Sequence, residues 1–169
     1  MPKWIKKTEK FVDKIVDIQQ FLSNIFLIFI MLIISLDILG RNILNKPLKG
    51  TYELTELGAA LLVFFALAIT HRVGDHITID FVVERFSEKA QNIIKGIVDI
   101  VIAIILVVMS VQIFDNGLRM MDRSSTTTDL AIPVYPFLFI ITFTLIIFAL
   151  TAIFKAIHYF GSVVNKNES

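Results

Sequence analysis

The sequence predicts an all-α integral membrane protein of four spanning helices, with a short interfacial amphipathic helix between spans two and three. Three observations carry that expectation. Four apolar runs, at about residues 21–40, 54–70, 96–114 and 137–154, are each long enough for a helix to cross the ~30 Å hydrocarbon core of a bilayer. Hydrophobic residues make up 56% and charged residues 18% of the 169, below the ~25% charge of an average soluble chain. The connecting segments are too short to fold as a soluble domain, which confines any chemistry to helices, their ends or a partner. Residues 1–169 therefore read as a single membrane domain, with spans at about 18–40, 53–73, 93–114 and 133–157 and the amphipathic segment at about 79–90.

The first span follows Lys3, Lys6, Lys7, Lys10 and Lys14. A basic start before an apolar run resembles a signal peptide, but this run is long and no small-residue cleavage site precedes Asp37 and Arg41. It is expected to stay as a span. Trp4, Phe11, Ile15 and Ile18 give the segment before it a weak amphipathic habit, which extends the span into the headgroups. At its far end Asp37 and Arg41 are four apart in the acid-first order that pairs well along one helix face.

Asn45, Pro47 and Gly50 then break the helix, and Thr51 is a candidate cap for the second span. Glu53 and Glu56 fall in its first turns, where the helix dipole favours negative charge whether or not they bind anything. After span two, residues 79–90 place Ile79, Val82, Val83, Phe86 and Ala90 on one helical face, opposite Asp80, Glu84, Arg85, Glu88 and Lys89. A helix of that pattern lies flat on a membrane surface or faces a partner.

Span three carries Asp99 near one end, with Lys95 one turn back to neutralise it. The polar run Ser124 to Thr128 lacks a neighbouring histidine base and reads as a connecting loop. Pro133 and Pro136 suit the start of span four, where the first amide hydrogens have no intrahelical partner. Ala149, Ala152 and Ala156 give that span a small-residue stripe where another helix can approach closely.

Basic residues set the expected orientation. With the N-terminus inside, the inner segments hold the five leading lysines with Arg72, Arg85, Lys89, Lys95, Lys155 and Lys166, whereas the outer loops hold only Arg41, Lys46, Lys49, Arg119 and Arg123. Both termini are therefore expected in the cytoplasm. Tyr52, Tyr135 and Tyr159 fall just outside apolar runs, where amphipathic rings prefer the interface.

Cofactor chemistry finds little footing. The chain has no cysteine, which excludes disulfides and thiolate metal sites. His71 and His76 are five apart in a Gly-containing turn, and His158 follows span four, so the apolar runs supply no haem ligands. No metal site, cofactor or catalytic residue is expected. Spans two and four hold no charged residue between Glu56 and His71 or between Pro133 and Lys155. A self-sufficient transporter places broken helices or polar groups near the midplane, so this pattern suits an accessory subunit.

The run from Arg41 to Leu57, RNILNKPLKGTYELTEL, and the later THRVGDHITIDF from Thr70 to Phe81 resemble the small membrane subunit of the tripartite ATP-independent periplasmic (TRAP) transporters, the DctQ-type family. Arg41, Pro47, Glu53, His76 and Asp80 carry that resemblance in order, and Thr126 to Pro136, TTTDLAIPVYP, resembles the family's entry to the last span. The basic N-terminal stretch departs from the pattern. The resemblance implies an accessory role in sodium-coupled uptake of an organic acid across the bacterial inner membrane. Its implied partners are a large membrane subunit and a periplasmic substrate-binding protein, beside membrane lipid; nucleic acid is not among them. No direct substrate or sodium site is expected on this chain. Asp37, Arg41, Glu53, Glu56, His76, Asp80, Arg119 and Arg123 are the candidate interface or structural residues, and loops 41–52 and 115–132 are candidates to touch the binding protein. A stand-alone electron carrier or enzyme needs polar groups clustered inside the bundle. A self-associating channel needs a polar stripe along a span, and Ser23, Asn24, Ser35, Ser110, Gln112, Thr142 and Thr144 form no continuous one.

Overall fold

The computed structural model describes residues 3–73 and 86–165, and these form four long helices. They are α1 (Lys3–Leu44), α2 (Thr51–Val73), α3 (Glu88–Asp122) and α4 (Tyr135–Asn165). At 1.5 Å per residue the shortest, α2, is roughly 34 Å long, so each exceeds the ~30 Å hydrocarbon thickness. All four are long and apolar enough to cross a membrane. The protein is a multi-pass membrane protein with its two described loops, residues 45–50 and 123–134, at one end and the start of α1 and the end of α4 at the other.

Helix α4 is the centre of the bundle. It packs along α3, against α2, and near its C-terminal end against α1, while α1 packs mainly on α2. Half of the most apolar stretch of α4 is buried, against 11% of that of α1. The core joins Val12 and Val16 of α1, Leu61, Phe65 and Ala68 of α2, Leu106 of α3, and Ile141, Leu145, Ile147, Phe148 and Ala149 of α4. Because α1 and α3 lie at the edges, they leave rows of Ile, Leu, Val and Phe exposed for lipid or a partner.

Small residues decide how closely α3 and α4 approach. The buried positions of α3 are Gly96, Asp99, Ala103, Leu106, Ser110 and Gly117, a stripe at helical spacing. A Cβ on Gly96 would stand 2.8 Å from the Phe160 ring, and one on Gly117 would stand 2.8 Å from that of Phe139. The alanine stripe of span four is consumed within the chain, since Ala149, Ala152 and Ala156 are all buried. It does not offer an open face to an outside helix.

Several boundaries differ from expectation. The basic N-terminal segment is continuous with the first span in a single helix from Lys3, so the extension into the headgroups is helical. Asn45 ends α1 with φ +50°, a left-handed conformation that asparagine tolerates. Thr51 does not cap α2; it is the first helical residue, and its hydroxyl donates to the Leu48 carbonyl at 3.1 Å. The amphipathic segment falls mostly at residues 79–85, outside the described residues, and its last part from Glu88 is the first turn of α3. Helix α4 starts at Tyr135, so Pro133 precedes it and pairs across the loop with Thr126.

Candidate functional site

Buried charge in a lipid-embedded protein needs a partner at short range, and here it gathers in two layers, one at each end of the bundle.

At the loop end Asp37 lies one turn below Arg41, and the two pair at 2.8 Å as the spacing predicts. Asp37 also accepts the Leu48 backbone N–H at 2.9 Å, which pins the turn between α1 and α2. This explains its burial while the Arg41 side chain stays 62% exposed. Glu53 has a role that its sequence position did not reveal. Its two carboxylate oxygens accept the backbone N–H groups of Asp129 at 2.6 Å and Leu130 at 3.0 Å. Those amides belong to the connection from α3 to α4, more than seventy residues away in sequence. Gly50 (φ +75°) lies directly under the Leu130 side chain and leaves no room for a Cβ, so both loops form one packed layer. Glu56, one turn on, is exposed.

Arg119 and Arg123 project from the same end of the molecule and are exposed. Arg123 closes α3 with its backbone N–H on the Arg119 carbonyl at 3.2 Å. His76 and Asp80 lie outside the described residues.

The terminal end holds a network that reading the sequence missed. His71, expected in a Gly-containing turn, lies within the last turn of α2 and is fully buried. Its Nε2 stands 3.3 Å from Asp99 Oδ1 of α3, and its ring lies tilted at 57° against that of Phe148 of α4, with centroids 5.2 Å apart. Lys95 was the expected neighbour of Asp99; the partner across the helices is this histidine. Lys155 of α4 donates to the His71 carbonyl at 2.7 Å. Next to it Arg72 bonds the Asp13 backbone carbonyl at 3.1 Å and pairs with the carboxylates of Asp13 and Asp17 on α1. His158 approaches Glu9 at 3.6 Å. Between α1, α2 and α4, Glu9, Asp13, Arg72, Lys155 and His158 line a cavity of about 210 Å³.

Helical registers carried a signal for the histidine pair. Leu61, Phe65, Ala68 and His71 share the buried stripe of α2, and Asp99 shares that of α3 with Gly96 and Ala103. Two polar residues, each on an otherwise small or apolar stripe, point to one another. Chemically, both layers join elements to each other. Asp37 and Glu53 accept backbone amides, Asp13 and Asp17 pair with the Arg72 guanidinium, and Asp99 faces the His71 imidazole through one oxygen while its buried Oδ2 accepts no hydrogen bond from the described residues; no group of three His, Cys, Asp or Glu side chains arranged to hold a metal occurs among the described residues.

Comparison with curated proteins and with solved structures gives no match. A family model described as "Tripartite ATP-independent periplasmic transporters, DctQ component" matches residues 30–160, more than half of the chain and all of the loop-end layer. With four long apolar helices and that match, the chain belongs to the DctQ family, the small membrane component of the TRAP transporters.

Proposed function

We propose that this chain is the static scaffold subunit of a secondary transporter, in which a large membrane subunit takes up an organic acid with sodium and a periplasmic binding protein delivers it. The observation that carries this reading is the use of buried charge. Asp37, Glu53, His71 and Asp99 each tie one element to another at the ends of the spans, which is what a brace needs. A transporting domain instead needs polar groups that open towards a solute near the midplane. The scaffold holds the fixed part of its large partner, so that the cargo-bearing part slides against a rigid neighbour, and contacts neither substrate nor sodium.

The basic residues favour the inner membrane with both termini in the cytoplasm. That orientation turns the loop-end layer, with Arg119 and Arg123, towards the periplasm and the binding protein. Exposed charge there steers encounter and orientation more than it adds affinity. The test is reconstitution: proteoliposomes with the large subunit and binding protein, with and without this chain, are assayed for sodium-driven uptake. Uptake is expected only with the chain, and full uptake in its absence would overturn the proposal.

A further inference from the structure

The cavity between α1, α2 and α4 is lined by charges of both signs that stand slightly apart. Asp13 lies 3.5 Å from Arg72 Nη1, and Glu9 lies 3.6 Å from His158 Nδ1. Both separations exceed the ~2.7–2.9 Å of a charge-assisted hydrogen bond, and polar groups so spaced commonly share a third group between them. Lys155 adds an ammonium with three N–H donors, of which the bond to the His71 carbonyl uses one. At about 210 Å³ the space holds a small headgroup rather than a single water.

Its depth and its order both suit a lipid. Arg72 is the last residue but one of α2, a helix only slightly longer than the hydrocarbon core is thick, so the cavity lies at headgroup level. Val12 and Phe154 supply apolar wall, and the buried Thr151 spends its hydroxyl on the Ile147 carbonyl. Moving away from the midplane along α4, Thr151 is followed by Lys155 and then by His158. Glu9, opposite His158, is one turn or roughly 6 Å further out than Asp13, which faces Arg72. Apolar wall, cations and then a carboxylate is the sequence in which a phospholipid presents its tail, its phosphate and a headgroup amine. An ethanolamine linker reaches about that far.

We propose that this cavity binds the headgroup of a phosphoethanolamine lipid, with the phosphate on Lys155 and Arg72 and the ammonium on Glu9. Basic pockets between spanning helices are known to hold lipid headgroups; here the two carboxylates select a headgroup that carries both charges. A purely anionic headgroup would bring its charge against Glu9 and Asp13 with nothing to offset them. A choline headgroup keeps both charges but has no N–H to donate to Glu9. A soluble phosphoethanolamine ester shares the chemistry, yet it leaves the apolar wall of Val12 and Phe154 without a tail. The site stands independently of the scaffold reading.

The experiment titrates the full chain in detergent with lipids of identical acyl chains and counts bound lipid by native mass spectrometry. Phosphatidylethanolamine should bind about tenfold more tightly than phosphatidylcholine, with the mono- and dimethylated headgroups in between. Tenfold is the lower end of what one hydrogen bond to a charged group contributes, as suits a Glu9 side chain 27% exposed. Glu9→Gln should abolish the preference and leave phosphatidylcholine binding unchanged. Lys155→Gln, which keeps a donor for the His71 carbonyl, should weaken both lipids alike. Equal wild-type affinity for the two lipids, or an intact preference in Glu9→Gln, would overturn the proposal and leave these charges as ties between helices only. Tighter binding of phosphatidylglycerol would overturn the zwitterionic headgroup, and soluble glycerophosphoethanolamine binding as tightly as the lipid would overturn the membrane source. Unchanged binding by Lys155→Gln would overturn the placement of the phosphate.

Discussion

Glu53 separates two accounts of an acidic residue at a helix start. If it acted only through the helix dipole, removing its charge would cost about 0.3–1 kcal/mol, and Glu56 would behave similarly. The structure gives it two backbone donors, at 2.6 and 3.0 Å, on a side chain 7% exposed. A hydrogen bond to a charged group contributes roughly 1.5–3 kcal/mol, and a buried donor left without a partner costs roughly 1–3 kcal/mol. Glu53→Ala removes both acceptors and should destabilise by about 3–5 kcal/mol. Glu53→Gln keeps one acceptor but turns an NH2 group towards a backbone N–H, and should cost about 2–4 kcal/mol. Glu56→Gln, on an exposed side chain, should stay within about 0.5 kcal/mol of wild type. Equilibrium unfolding in detergent micelles measures all three, and amide hydrogen exchange locates the effect. Protection at Asp129 and Leu130 should fall in the Glu53 variants while the middle of α4 stays protected. Equal, small losses for Glu53→Gln and Glu56→Gln, with exchange at Asp129 and Leu130 unchanged, would refute the tie.

Three other outcomes are expected. Gly96→Ala and Gly117→Ala push a methyl towards the rings of Phe160 and Phe139 and should each destabilise by about 1–3 kcal/mol; wild-type unfolding would show that α3 and α4 are not packed so closely. Removing one partner of the His71 and Asp99 contact, as in His71→Leu, should cost about 3–5 kcal/mol, while the double replacement His71→Leu with Asp99→Leu recovers much of the loss; strictly additive single effects in a double-mutant cycle would show that the two groups do not interact. Arg119→Glu or Arg123→Glu should leave the membrane complex assembled but raise the binding-protein concentration needed for half-maximal uptake, and an unchanged concentration dependence would remove both residues from the docking surface.

The order of the elements and their membrane character were written in the sequence because both depend on local composition. Apolar runs of about twenty residues, separated by Asn45, Pro47 and Gly50 or by the polar run at 124–128, leave little choice of architecture. The pairing of Asp37 with Arg41 was equally legible, since a four-residue spacing fixes proximity within one helix. Short-range geometry is carried by the spacing itself.

What bundle packing decided lies beyond that range. Glu53 looked like a helix-start acid until the fold brought the amides of Asp129 and Leu130 to it, and the tight turn at Gly50 is needed because Leu130 stands over it. His71 and Asp99 stand on separate helices with the undescribed segment between them in sequence, and no periodicity within either helix states which helix lies opposite. The alanine stripe of α4 showed that something could approach closely; only the assembled bundle shows that the chain's own helices do so. A sequence lists the polar groups that hydrocarbon will not tolerate unpaired, whereas the choice among their possible partners is made by which helix faces meet when the apolar surfaces pack.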